Sequence, residues 1–164
     1  MRLLIIRHAI AVPRGTADIP DDERPLTPQG EKRFRQAAKG LARITKRPDA
    51  LLTSPLVRAR ETAVIAANAW GGPEPGIDVS LASGSFEGLA ATLASHPDDA
   101  TVAIVGHEPH LSTLLARLIG TESAARLTFR KGGAALVEIP ESLDEGGVLV
   151  WYMQPKILRR LAGE

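Results

Sequence analysis

Two histidines and two arginines carry the clearest chemistry in this sequence. Arg7 and His8 follow a short apolar run near the N-terminus, and His107 closely follows the most β-branched run of the chain. Arg58 comes within one helical turn of a third apolar run. Guanidinium groups match phosphate oxygens, and an imidazole titrates near neutral pH, so it can act as nucleophile, acid or base. These side chains predict a pocket for a phosphoryl group with a nucleophile inside it.

Strands and helices are predicted to alternate along the chain, because short apolar runs are separated by segments with helical periodicity. The predicted strands cover residues 3–6, 50–53, 78–81, 101–105, 134–139 and 148–153, and the predicted helices cover 28–47, 55–68, 85–95 and 109–119. The last two strands are predicted to form a hairpin. This order predicts a three-layer α/β/α sandwich with a mostly parallel central sheet. Because ligands bind at the carboxyl ends of parallel strands, the four side chains are expected to meet at one sheet edge.

Local signals mark two helix starts and one long loop. Thr27 is predicted to cap the first helix, with Pro28 in its first turn, and Ser54 is predicted to cap the second helix in the same way. Residues 10–25 contain three prolines and an acidic cluster, which indicates a surface loop. Loops of this length are often functional.

Composition narrows the classes of protein that fit the chain. Its 164 residues, 44% hydrophobic and 24% charged, predict a single globular domain over 1–164. Twenty basic and 19 acidic side chains leave a net charge of +1, so neither nucleic acid nor a membrane is expected as a partner. The lack of cysteine excludes disulfides, thiolate zinc sites and cysteine nucleophiles. No run fits a bilayer span or a signal peptide, and we expect a cytoplasmic monomer.

Four motifs, in order along the chain, resemble those of the histidine phosphatase superfamily, whose fold is that of phosphoglycerate mutase. Residues 4–9 resemble its Arg-His-Gly signature, and residues 24–30 resemble its Leu-Thr-x-x-Gly helix start. Residues 54–63 resemble its Ser-Pro-x-x-Arg-Ala-x-Gln-Thr segment, and residues 105–109 resemble its second-histidine motif. The short length, the Arg-Pro-Leu-Thr stretch and the ending over 151–158 are similar to the SixA-type phosphohistidine phosphatases.

The resemblance implies a role for each of these side chains. His8 would attack the substrate phosphorus and become transiently phosphorylated, after which water hydrolyses the intermediate. Arg7 and Arg58 would bind the phosphate oxygens. His107 would add a further contact that stabilises the negative charge of the phosphoryl group during its transfer. The backbone of Glu108 would contribute another phosphate contact. No metal or cofactor is implied, because the arginines and histidines already supply positive charge.

Three positions depart from the pattern of the superfamily. Ala9 stands where glycine is usual, and its methyl group either narrows the approach of the backbone to phosphate or is harmless if φ is negative. Glu61 stands where glutamine is common, and it could hold Arg58 or Arg60. Glu87 is the only nearby candidate for a general acid, and it fits equally a first-turn residue that is stabilised by the helix dipole.

The lack of a clear general acid affects which substrate is expected. An alkoxide leaving group needs a proton from a well-placed acid, whereas imidazole departs readily from phosphohistidine. We therefore predict a metal-independent phosphatase that removes phosphate from phosphohistidine on a signalling or phosphotransfer protein. Two alternatives stay open: a phosphatase of small esters such as sugar phosphates or nucleotides, and a phosphate- or phosphohistidine-binding module with little turnover.

Overall fold

A computed structural model describes residues 1–163 and contains one sheet of six strands. The strands are β1 (Arg2–Arg7), β2 (Ala50–Thr53), β3 (Gly76–Ile77), β4 (Thr101–Gly106), β5 (Ala134–Glu138) and β6 (Val148–Met153). The helices are α1 (Pro28–Ile44), α2 (Val57–Trp70), α3 (Ser80–Ser83), α4 (Phe86–Leu93), α5 (His110–Leu118) and α6 (Pro155–Leu161). Short 3₁₀ turns lie at Asp21–Glu23, Ala124–Leu127 and Leu143–Glu145.

The sheet has the strand order β3-β2-β4-β1-β5-β6, with the first four strands parallel. β5 runs antiparallel to β1 and forms the predicted hairpin with β6. The register places Arg7 beside Gly106 and Thr53 beside Val105, so β1, β2 and β4 end at the same sheet edge. The sequence segments that follow these strands are thereby brought together.

Helices cover both faces of the sheet. On one face α1, α2 and α6 pack with β-strand side chains around Phe34, Leu41 and Leu158. On the other face α3, α4 and α5 pack around Leu115 and Phe129. Burial on both faces explains why the central strands are continuously apolar rather than alternating. The prediction of a three-layer α/β/α sandwich with a mostly parallel sheet and a C-terminal hairpin is confirmed.

The start of α1 follows the predicted capping chemistry. The hydroxyl of Thr27 accepts a hydrogen bond from the N–H of Gly30 at 2.9 Å, and Pro28 occupies the first turn. The Thr27 N–H donates to the carbonyl of Ile10 at 3.0 Å. A Cβ at Gly30 would collide with that same carbonyl, so glycine is needed for this close approach. The start of α1 is thereby fixed next to the segment that directly follows His8.

Three predicted boundaries are wrong. The first helix ends at Ile44 and not at 47, because Thr45 is already extended. The strand predicted at 78–81 lies instead at Gly76–Ile77, because the Asp78 carboxylate accepts hydrogen bonds from the Ser80 N–H and hydroxyl and starts a helix there. Ser54 does not cap α2, which begins at Val57 with Leu56 as its N-cap.

The C-terminal helix α6 was not predicted, because it is only seven residues long and carries little periodic signal. It packs against α1 at Gly40, where an added Cβ would meet the backbone of Leu158. No helix within residues 1–163 is long and apolar enough to cross a membrane.

Candidate active site

The two predicted catalytic histidines lie side by side at the sheet edge. His8 follows β1 and His107 follows β4, and both are buried, with 5% and 7% of their surface exposed. Their ring centroids are 5.1 Å apart, and the ring planes are inclined by 50°. The positive charges of Arg7 and Arg58 act on both imidazoles and help to lower their pKa values. The structure therefore brings together the four side chains that the strand ends predicted.

The tautomer of His8 follows from one hydrogen bond. Its Nδ1 lies 2.7 Å from the carbonyl oxygen of Ala9. A carbonyl only accepts, so Nδ1 carries the hydrogen and Nε2 keeps its lone pair. Burial, opposed by the Ala9 contact and aided by the nearby charges of His107, Arg58 and Arg7, lowers the pKa of His8 to about 3. His8 is therefore neutral at pH 7, as a nitrogen nucleophile must be.

His107 is oriented by a hydroxyl group on the neighbouring strand end. Its Nε2 lies 2.7 Å from Oγ of Ser54, and the same Oγ accepts from the N–H of Leu56 at 3.2 Å. The arrangement that uses the Ser54 proton has this hydroxyl donate to Nε2, which leaves the ring hydrogen on Nδ1. Nδ1 is buried and has no protein partner within residues 1–163. Burial, followed by the charge of Arg58, lowers the pKa of His107 to about 4.

Arg58 is held by the loop that precedes α1. The side chain is 4% exposed, and its Nη1 donates to the backbone carbonyl of Asp21 at 2.7 Å, while Nη2 lies 3.5 Å from the Asp21 carboxylate. The same carboxylate accepts from Arg14 and Arg24, each at 3.0 Å. Although desolvation raises the pKa of Asp21, these cations outweigh it and lower the pKa overall. Burial lowers the pKa of Arg58, and the charge of Arg24 adds to this.

Arg7 is anchored by the segment that precedes β5. Its Nη1 donates to the carbonyl of Phe129, and its Nε is buried without a protein partner in the described chain. Burial lowers the pKa of Arg7, while the nearby carboxylate of Glu108 raises it. That carboxylate accepts from the N–H of Ser112 at 3.1 Å. The phosphate contact predicted for the Glu108 backbone stays a prediction.

Three buried donors at this edge, Arg7 Nε, Arg58 Nε and His107 Nδ1, have no acceptor within residues 1–163. A buried polar group without a partner costs about 1–3 kcal/mol. A tetrahedral oxyanion offers several acceptor oxygens at once and would satisfy such donors. These donors could hold a phosphoryl group beside the free lone pair of His8.

A family comparison decides what kind of protein this is. The model of the histidine phosphatase superfamily (branch 1) matches residues 3–91. The chain belongs to the histidine phosphatase superfamily. Its fold is that of the superfamily's phosphatases, and within the superfamily it is SixA-like.

Individual relatives agree with this assignment. An uncharacterized protein from Picosynechococcus sp. (strain ATCC 27264 / PCC 7002 / PR-6) is 37% identical over 137 residues, which cover 81% of this chain and 82% of the relative. The structure of the protein histidine phosphatase SixA complexed with tungstate has a TM-score of 0.81 and 26% identity, covering 96% of this chain and 99% of that chain. A phosphoserine phosphatase from Entamoeba histolytica, in complex with 3-phosphoglyceric acid, shares the fold with a TM-score of 0.69 and 19% identity, covering 92% and 95% of the two chains.

The two departures from the superfamily pattern nearest His8 have structural explanations. Ala9 does not have a positive φ, since Asp18 is the one non-glycine residue within 1–163 that does. Its methyl group is buried in the core, and its N–H donates to Oγ1 of Thr62 at 3.0 Å. Glu61 holds neither Arg58 nor Arg60, contrary to expectation, because its carboxylate accepts from the backbone N–H of Leu26 at 2.7 Å. This contact ties the end of the loop to α2.

Glu87 lies apart from the contacts of the two histidines. It occupies the first turn of α4, where Ser85 caps the helix, and its side chain is 84% exposed. Its carboxylate is 4.0 Å from Nη1 of Arg117, which itself stacks on the Phe86 ring. The placement matches a first-turn acid, and a role as general acid stays a prediction.

The sequence reasoning missed three supporting residues. Ser54 was read as a helix cap, Asp21 only as part of an acidic cluster, and Thr62 was given no role. All three act through hydrogen bonds between distant segments, which spacing along the chain does not reveal. No group of three or more His, Asp or Glu side chains within residues 1–163 could hold a metal ion.

Proposed function

We propose that this protein hydrolyses phosphohistidine on a partner protein, through a covalent intermediate on Nε2 of His8. The observation that carries the proposal is the free lone pair of a neutral His8 beside buried donors of Arg7, Arg58 and His107. The sheet with both faces covered also supports a single domain over 1–164, as expected from length.

In the first step the His8 lone pair forms a P–N bond as the P–N bond of the substrate breaks. The bonding pair goes to the departing imidazole nitrogen, and the proton already carried by the other ring nitrogen of the substrate makes the leaving group neutral imidazole. Arg7, Arg58 and the Nδ1 hydrogen of His107 hold the phosphoryl oxygens, because charge stabilisation and positioning are what phosphoryl transfer requires. Water then attacks phosphorus, inorganic phosphate leaves, and the pair returns to Nε2.

The choice of phosphohistidine is supported by what surrounds the nucleophile. No carboxylate within residues 1–163 forms a hydrogen bond with His8 or His107. Because no carboxylate of the described residues contacts either histidine, a leaving group that departs as neutral imidazole is favoured over an alkoxide. The likeness to SixA, a protein histidine phosphatase that was solved with the tetrahedral anion tungstate, supports the same choice.

A phosphatase of small phosphate esters is the second candidate, and Glu87 is the observation that favours it. Its side chain borders a cavity of about 250 Å³ that is also lined by Ser80 and His110. If the Glu87 carboxyl group came within reach of the leaving oxygen of a bound ester, it would donate the proton that ester hydrolysis requires.

The test measures phosphate release, with a chelator present, from a phosphohistidine peptide and from a sugar phosphate, an ester whose leaving group is an alkoxide. We expect strong release from the peptide, weak release from the ester, and a loss of at least about 10⁴-fold in the His8→Ala variant. Faster release from the ester would favour the second candidate. No release from either, with phosphate still bound, would leave a phosphate-binding module and overturn the proposal.

A further inference from the structure

A groove of about 290 Å³ runs alongside the site, between α1, α6 and the segment before β5. It borders Ala9, the residue directly after the nucleophile, and Gly132. The N–H of Gly132 lies 3.1 Å from the carbonyl oxygens of both Arg7 and His8. The groove is therefore joined to the candidate active site through the backbone of His8 itself.

The charge of this groove is one-sided. Five cationic side chains line it and no carboxylate does: Arg33, Arg130, Lys131, Lys156 and Arg159. Four other surface cavities of the described chain each contain at least one Asp or Glu. With a net charge of only +1 for the whole chain, this concentration of cations is a local feature and not a consequence of overall charge.

Burial lowers the pKa of Lys131, and the charges of Arg7, Arg24 and Arg58 lower it further. The positive field of the groove is thus continuous with that of the phosphate-binding arginines. A partner whose anionic surface binds in the groove would therefore have its adjacent side chains close to His8.

The character of the lining indicates what kind of anion fits. Arg33, Arg130, Lys131 and Lys156 are exposed, so they are long, mobile point charges and not a preformed small-molecule site, which is enclosed and has a few fixed polar groups. Single-stranded nucleic acid stacks on exposed aromatic rings, but the one ring in the lining, Phe34, is 2% exposed. A protein surface rich in Asp and Glu fits best.

We propose that this basic groove docks an acidic segment of the phosphorylated partner protein and so presents its phosphohistidine to His8. The inference rests on the proposed function for the substrate, but the charge of the groove stands independently of it. Complementary charge of this kind accelerates encounter and sets partner choice more than it adds affinity.

The experiment uses two synthetic phosphohistidine peptides of equal length, one flanked by Asp and Glu and the other by Lys. At low salt we expect kcat/KM to be at least about tenfold higher for the acidic peptide, and the difference to shrink as salt screens the charges. The double variant Arg33→Glu with Lys156→Glu should remove the preference. Lys39→Glu with Lys46→Glu, the same charge change at two exposed positions outside the groove, should keep it.

A second arm measures binding of the unphosphorylated acidic peptide to the wild type and the same variants. Binding that depends on Arg33 and Lys156 without any phosphohistidine turnover would keep the docking surface and reject the proposed function. Turnover without a preference for the acidic peptide, or preference unchanged in the double variant, would overturn the docking surface. Tighter binding of a single-stranded oligonucleotide through the same two residues would overturn it in favour of nucleic acid.

Discussion

The two histidines and Arg58 serve one site but are held by different kinds of structure. His8 and His107 follow neighbouring parallel strands in the middle of the sheet, and His8 donates its backbone N–H to Gly106 at 3.1 Å. Arg58 is held through Asp21, a residue of the loop whose side chain is 45% exposed.

The site therefore has a rigid part, His8 and His107, and an exchangeable part, the contact between Arg58 and the Asp21 carboxylate. The histidines cannot move without disrupting the sheet, so the direction of the His8 lone pair is preorganised. The Asp21 carboxylate is 45% exposed and lies 3.5 Å from Nη2 of Arg58, longer than a good hydrogen bond, so this contact contributes little although Arg58 is buried. The Asp21 carboxylate can therefore yield Arg58 to a phosphate oxygen at little cost, while the backbone carbonyl of Asp21 keeps the guanidinium in place.

The largest effect should come from acid acting on the rigid part. In the unfolded chain both imidazoles take up protons below about pH 6.5, but in the folded protein His107 does so only near about 4 and His8 near about 3. The unfolded state thus binds more protons between these values, and stability falls as pH falls through this window. Each histidine contributes a slope of about 1.4 kcal/mol per pH unit.

Urea unfolding at pH 7, 6 and 5 measures this slope. The variant His8→Asn removes one buried imidazole and should reduce the slope by about 1.4 kcal/mol per pH unit. An unchanged slope in this variant would mean that His8 is not buried as a neutral ring.

The next effect concerns the exchangeable part. Arg58→Ala should lower kcat/KM by about 10- to 150-fold, because a hydrogen bond to a charged group contributes about 1.5–3 kcal/mol. It should weaken tungstate binding as well, which isothermal titration calorimetry measures. The control Arg60→Ala lies on the same helix but lines the surface cavities away from the histidines, and it should keep both values. Equal losses in the two variants would contradict a phosphate contact by Arg58.

The fold could be predicted well from this sequence because its strands are buried on both faces. The continuous apolar runs of β1 and β4 and the Thr27-Pro28 helix start carry strong local signals. The errors at Asp78 and Ser54 have a common cause. In both places a short polar side chain accepts a hydrogen bond from the backbone N–H two residues later, Asp78 from Ser80 and Ser54 from Leu56, and so forms a turn where the sequence predicts a strand or a helix cap.

The arrangement of the predicted site residues follows from the topology, since residues at the ends of neighbouring parallel strands must meet. The tautomer of His8 could not be predicted, because it depends on the conformation of one carbonyl, that of Ala9. The clamp of Asp21 on Arg58 joins residues 37 positions apart, and only the folded path of the loop reveals it.

A smaller effect should follow from removing the charge of Asp21. Asp21→Asn takes away the carboxylate that is expected to compete with phosphate for Arg58, so tungstate should bind about two- to fivefold more tightly, in line with a long, half-exposed ion pair. Asp22→Asn removes a neighbouring charge that forms no ion pair within residues 1–163 and serves as the control. Weaker tungstate binding in Asp21→Asn would show that the carboxylate organises Arg58 for phosphate instead of competing with it.

The smallest effect is expected at Glu87, which lies in neither part of the site. In the proposed reaction imidazole leaves and requires no external acid, and the 84% exposed carboxylate forms an ion pair only with Arg117 in the described chain. Glu87→Gln should therefore change kcat on a phosphohistidine peptide less than about twofold, whereas loss of a general acid costs about 10²–10⁴-fold. The exposed Glu122→Gln is the matched control. A large loss in Glu87→Gln alone, with an unchanged melting temperature, would bring α4 into the catalytic site and favour an ester as the substrate.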